Sequence, residues 1–149
     1  RMAFPHLKVM FPTAPVRPYT PLNGEVPCVV GGFSMGGAMA LHVGYRYMPG
    51  LAGVFTLSSF LNEKSVLYDE LQKKKDSGGK SVLPPLFMCH GERDDLVSVG
   101  WGEETLNRLT SLGVTAEFHR FPNMLHELKK KEMEMLYSWV NGLLKSDKL

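Results

Sequence analysis

Disulfide chemistry has little to work with in this chain. Only two cysteines, Cys28 and Cys89, occur among 149 residues, and no C-x-x-C pair is present. Each lies in an apolar run that reads as a buried strand, so the sequence predicts reduced thiols and a cytoplasmic setting rather than a disulfide framework. Long apolar runs are missing too. No stretch approaches the ~20 residues that a bilayer-spanning helix needs, so stable membrane insertion is not expected. The N-x-[ST] glycosylation signal does not occur, and no signal peptide is visible. The first residue is Arg1 rather than Met, so a native start upstream is expected. Charge of one sign is scarce as well: the formal net charge is +2. Without a long basic run, that excess gives no reason to expect nucleic acid as a partner. What is present is ordinary for a globular protein, with 44% hydrophobic and 21% charged residues. The length suits one domain, residues 1–149, with a real core.

The chain carries no internal repeat. Leu7–Phe11 is a short apolar run that reads as a strand and stops at Pro12. Prolines at 12, 15, 18 and 21 then forbid a helix and favour extended structure up to Glu25. Val26–Phe33 is the next strand-like run, followed by small and apolar residues at helical spacing over Met35–Tyr47. Further strands are expected at Leu51–Ser58, Leu83–His90 and Thr115–Phe121. Helices are expected at Glu63–Lys74, at Glu103–Leu112 with Gly113 closing it, and at Glu127–Leu144. In the last helix Leu128, Met135, Leu136, Trp139, Val140 and Leu143 form an apolar stripe that reads as core. Lys73–Lys80 reads as a solvated loop. Strands alternating with helices imply an α/β fold with a mostly parallel sheet flanked by helices. In such folds ligands sit at the carboxyl ends of the strands.

Gly32-Phe33-Ser34-Met35-Gly36 matches G-x-S-x-G. With glycine near 7% of residues, such a match arises by chance in roughly one chain of this length in twenty. The motif therefore counts through its context: an apolar strand ends at Phe33 and a helical pattern begins at Met35. A sharp strand-to-helix turn exposes the serine, as in the nucleophile elbow of α/β-hydrolases. The flanking glycines are expected to allow that turn. The helix N-terminus would place the Met35 backbone N–H beside a developing oxyanion.

In that fold the acid and the base follow the nucleophile along the chain. His6 and His42 come too early. His90 ends a strand ahead of an acidic loop, and His119 lies inside a strand. His126, in a loop between the last strand and the last helix, is the candidate base. Glu92, Asp94 and Asp95 all stand in the loop where the acid should be, and loop reading does not choose among them. Ser58 and Ser59 end another strand without an elbow and read as strand-end hydroxyls.

Five ordered motifs resemble the acyl-protein thioesterase and lysophospholipase family. They are Phe11-Pro12-Thr13-Ala14-Pro15; Gly31-Gly32-Phe33-Ser34-Met35-Gly36-Gly37; Leu57-Ser58-Ser59-Phe60-Leu61; Cys89-His90-Gly91 with Asp94 and Leu96-Val97; and Phe121-Pro122-Asn123 with His126-Glu127. The resemblance implies the α/β-hydrolase fold and puts the acid on Asp94. It also implies a cytoplasmic serine hydrolase without metal or cofactor, whose substrates are acylated proteins or small esters. A general short-chain carboxylesterase is the neighbouring alternative. The chain departs from the family at two places. No His-Gly-type loop that would give a second oxyanion donor precedes the elbow. Gly24-Glu25-Val26-Pro27 also leads straight into the elbow strand, where the family has a long stretch with a Trp-Phe-Asp motif and a helix. The departure implies an α/β-hydrolase domain with its N-terminal part missing, one sheet face short of a helix, and a catalytically impaired chain as a further alternative.

Overall fold

The computed structural model describes residues 27–48, 50–78 and 82–146. The predicted Leu7–Phe11 strand and the proline-spaced segment after it lie outside that range. Four strands form a parallel sheet in the order β1-β2-β3-β4: β1 (Val29–Phe33), β2 (Gly53–Leu57), β3 (Leu86–Gly91) and β4 (Ala116–Phe121). All three pairings are parallel. Phe33 stands opposite Leu57, and Leu57 opposite Cys89, so the loops that leave β1, β2 and β3 emerge along one carboxyl edge.

Alternation along β3 shows how the two faces are filled. Leu86 and Met88 join one buried cluster, Phe87 and Cys89 another. Successive strand side chains point to opposite faces, so these clusters lie on the two sides of the sheet. The first cluster takes Leu41 and Tyr45, Leu67 and Leu71, and Leu109, residues of three successive helical segments. The second takes Leu136 and Val140, with Trp139 packed against them. Among the described residues, α4 (Lys130–Ser146) is the one helix on that side. β3 is buried at all six positions, whereas β1, an end strand of the described sheet, is half-buried at all five.

α1 (Met35–His42) continues as a π-helical turn, Val43–Tyr47. Gly44 lets this turn lie against Val54, where an added Cβ would stand 2.5 Å from Cγ2. Tyr45 thereby enters the core and donates its hydroxyl to Pro84 O at 3.1 Å. α2 (Val66–Asp76) starts later than the predicted Glu63, because the Ser65 side chain accepts the Leu67 N–H and caps it there. It also runs through residues read as loop: Lys73, Lys74 and Lys75 form its last turn, where cations favour the dipole. The Lys74 ammonium donates to Tyr45 O at 3.0 Å and that of Lys75 to Ser111 O at 2.9 Å. α3 (Val99–Ser111) begins four residues before the predicted Glu103, capped by Ser98. Leu128 does not belong to the stripe of α4; it precedes the helix and is exposed. Cys28 is exposed just ahead of β1, contrary to the buried-strand reading, while Cys89 is buried.

Leu109 is fully buried between α3 and the sheet. Leu109→Ala should lower unfolding stability by about 2–5 kcal/mol through lost burial and a residual cavity. The shift in the urea midpoint at constant m-value measures it. No helix among the described residues is long and apolar enough to cross a membrane.

Candidate active site

The β1–α1 junction turns on Ser34. Its backbone has φ 54° and ψ −125°, a region that non-glycine residues rarely occupy. Such a conformation costs on the order of 1–3 kcal/mol and persists only where the surroundings impose it. They do so here: Ser34 N–H donates to Leu57 O at 2.9 Å, and Ser34 O accepts from Gly37 N–H at 3.0 Å. Gly32 is required, since a Cβ there would collide with the backbone of Gly36 and Gly37. The second steric requirement falls on Gly37, not on Gly36 as the motif suggested. A Cβ at 37 would stand 2.7 Å from Ser59 Oγ, whereas one at 36 would meet open space. Met35 is the first residue of α1, so the helix itself leaves its N–H unpaired.

Of the three candidate carboxylates, only Asp94 meets His126. His126 Nδ1–H donates to Asp94 Oδ2 at 2.8 Å, and the Asp94 side chain is fully buried. Oδ1 of the same carboxylate accepts the N–H groups of Leu96 at 3.1 Å and Val97 at 2.7 Å. Burial works against the Asp94 charge most strongly. The Val97 N–H, His126 and the Leu96 N–H together outweigh it and hold the carboxyl below its ordinary range. Glu92 is taken up by Arg120 at 2.9 Å, which also binds Glu103 at 2.6 Å. Asp95 is exposed.

Two local features bring the His126 loop to Asp94. Gly91 has the Met124 carbonyl pressed against its Cα, leaving no room for a side chain. Arg93 N–H then donates to Met124 O at 3.1 Å. The His126 ring rests on Phe33, the neighbour of Ser34, with centroids 4.6 Å apart. The base candidate and the elbow therefore share one corner of the sheet. His119, read as structural or surface, pairs with Glu117 at 3.2 Å and leans on Phe87. Ser58 and Ser59 are buried strand-end hydroxyls, and Ser59 fills the space beside Gly37.

Ser34 and Met35 open into a groove of about 800 Å³ walled by Phe60, Leu61, Val66, Leu96 and Trp101. Phe60 and Trp101 pack 4.9 Å apart. α3 anchors this wall, because Leu61 N–H donates to the buried Thr105 Oγ1 at 2.9 Å. Sequence order set His42 aside as a triad member, yet it lines the same groove. Phe60, Leu61 and Leu96 stand in the motifs of the family resemblance, but their convergence on one groove, like the meeting of residues 61 and 105, arises only in the fold. No group of three or more His, Cys, Asp or Glu side chains among the described residues is placed to hold a metal ion.

A parallel sheet with helices on both faces, a strained serine at a strand–helix elbow, and an aspartate-bound histidine at the same edge define the α/β-hydrolase class. Residues 27–144 match the Phospholipase/Carboxylesterase family, and the chain belongs to it. It is 42% identical to mouse lysophospholipase-like protein 1, over 93% of this chain and 74% of that protein. It is 35% identical to an acyl-protein thioesterase 1 of Neurospora crassa, over 78% of this chain and 46% of that one. Among solved structures, Zea mays acyl-protein thioesterase 2 aligns with a TM-score of 0.70 at 25% identity, covering 84% of this chain and 59% of that one. Arabidopsis thaliana SOBER1 aligns with a TM-score of 0.65 at 27% identity, covering 78% and 52%. Apart from the mouse protein, the chain spans about half the length of these relatives. The mouse alignment runs over 182 positions, so at least 33 of them have no counterpart in this 149-residue chain.

Proposed function

We propose that this chain is a serine hydrolase that cleaves carboxylic esters and thioesters through an acyl-enzyme on Ser34. The observation that carries the reading is the strained Ser34 elbow beside the Asp94–His126 pair. With Nδ1–H committed to Asp94, the His126 Nε2 is left as the basic nitrogen. It takes the Ser34 proton as Oγ attacks the acyl carbon, and returns it to the leaving thiol or alcohol. Asp94 keeps the imidazole in that tautomer and stabilises the imidazolium. The Met35 N–H supports the oxyanion, and water attacking the acyl carbon then releases the acid. The apolar groove beside Ser34 suits the acyl chain, with Phe60 and Trp101 forming one wall. This reading has the enzyme act in the cytoplasm on acylated proteins or small esters, palmitoylated ones included, without metal or cofactor.

A second reading, a chain that binds esters but turns them over poorly, rests on two observations. Positions of the mouse relative are missing here, and Met35 and Met39 on α1 are 82% and 61% exposed beside the elbow. The test is turnover of p-nitrophenyl esters of increasing acyl length and of a matching acyl thioester. The hydrolase reading expects saturable hydrolysis of both bond types. Binding of the ester with no turnover above buffer would overturn it in favour of the second reading.

A further inference from the structure

We propose that His90 is a positioning residue for the acid, holding the 94–97 turn so that Asp94 presents Oδ2 to His126; this rests on the triad reading above. His90 is fully buried near the end of β3. Its Nε2 lies 2.8 Å from Val97 O and 3.5 Å from Asp94 Oδ2. A carbonyl oxygen only accepts, so Nε2 carries the ring proton. A second proton, on Nδ1, would have no acceptor among the described residues. Nδ1 instead abuts Gly102, where an added Cβ would stand 2.6 Å away. The ring is thus wedged between the backbone of α3 and the acid turn. Glycine inside a helix is disfavoured relative to alanine. The imidazole behind Gly102 explains why α3 carries one there.

The contacts form a relay of position. His90 Nε2–H donates to Val97 O, Val97 N–H donates to Asp94 Oδ1, and Asp94 Oδ2 accepts His126 Nδ1–H. Val97 is buried and held from both its carbonyl and its amide side. Removing the His90 N–H would strand a buried carbonyl and loosen the residue that orients the carboxylate. The same ring nitrogen also lies 3.5 Å from the Oδ2 atom that His126 uses. Simple packing would need only the ring's volume; positioning needs the N–H.

The test compares His90→Leu, which keeps bulk and loses the donor, with His90→Gln, whose amide N–H reaches a similar point. Gly102→Ala displaces the ring while leaving His90 in place. Each is assayed for kcat and KM on a p-nitrophenyl ester. The low-field proton resonance of the His126–Asp94 hydrogen bond is recorded by NMR and needs no turnover. Positioning predicts a kcat loss of about 10–100-fold for His90→Leu with KM within about twofold, by analogy with the loss when hydrogen-bond partners that orient metal-binding side chains are removed. The resonance should move or broaden, His90→Gln should recover most of kcat, and Gly102→Ala should lose kcat in the same direction. A folded His90→Leu with wild-type kcat and an unmoved resonance would overturn the proposal. So would equal losses in His90→Leu and His90→Gln with the resonance unmoved. If His90→Leu does not fold, a Gly102→Ala variant with wild-type kcat and resonance overturns it. A wild-type protein with no turnover would count against the hydrolase reading, while the resonance still reports on His90.

Discussion

Ser34→Ala should abolish ester turnover, with kcat falling by about 10⁶-fold, the scale at which loss of the nucleophile disables other Ser-His-Asp sites. Ser34 holds a backbone geometry, φ 54°, that non-glycine residues rarely adopt. It points the residue after β1 into the groove shared with Phe60 and Trp101. Removing one oxygen leaves the elbow's backbone bonds to Leu57 and Gly37 in place, so the variant should keep its fold and its melting temperature within a few degrees. Ser34→Gly should be equally inactive yet melt above Ser34→Ala, because glycine adopts a positive φ without strain. Steady-state assay and thermal melt of the three proteins check this. Wild-type turnover in either variant would remove Ser34 from the chemistry.

Asp94→Asn should cut kcat by about 10⁴-fold with the fold intact, as in other triads where the orienting carboxylate becomes an amide. An amide NH₂ facing Nδ1 would favour the wrong tautomer, leaving a proton on the nitrogen that should accept from Ser34. The carboxyl lies below its ordinary range, held there against its own burial by Val97, His126 and Leu96. It is therefore ionised at pH 7, where the comparison belongs. Glu92→Gln should cost far less, since that carboxylate is spent on Arg120, and so should Asp95→Asn, since Asp95 is exposed. An equal loss in Asp94→Asn and Asp95→Asn would contradict the assignment, as would a larger loss in Asp95→Asn.

The elbow was legible in the sequence because its signals are local. An apolar strand, a glycine, a serine and a helical pattern follow one another within a dozen residues. The sheet was legible for the same reason: β1, β2 and β4 each lie inside a run read as strand, and β3 passes the end of its run, His90, by one residue. The loop alone left the acid open, because three carboxylates share that short segment, and only the family resemblance singled out Asp94. The choice depends on His90, Val97 and the Met124 carbonyl, which reach that loop only in the fold. α3 was read four residues short because Gly100 and Gly102 weaken its helical pattern. The constraint that keeps Gly102 is His90, a strand residue twelve positions earlier. The lysines at 73–75 read as solvated charge. Their stems instead carry the helix onward, and two of their ammonium groups cap carbonyls of other segments. The motif also misdirected one detail, since Gly37 rather than Gly36 is the glycine that the elbow cannot replace.

The central claim is that Ser34 is an activated nucleophile. Intact-mass measurement after exposure to a fluorophosphonate, followed by peptide fragmentation, tests it most directly. The account predicts one adduct per chain, located on Ser34, absent in Ser34→Ala and formed much more slowly in Asp94→Asn. No adduct on the folded wild-type chain, or an adduct on another serine such as Ser58 or Ser65, would contradict it.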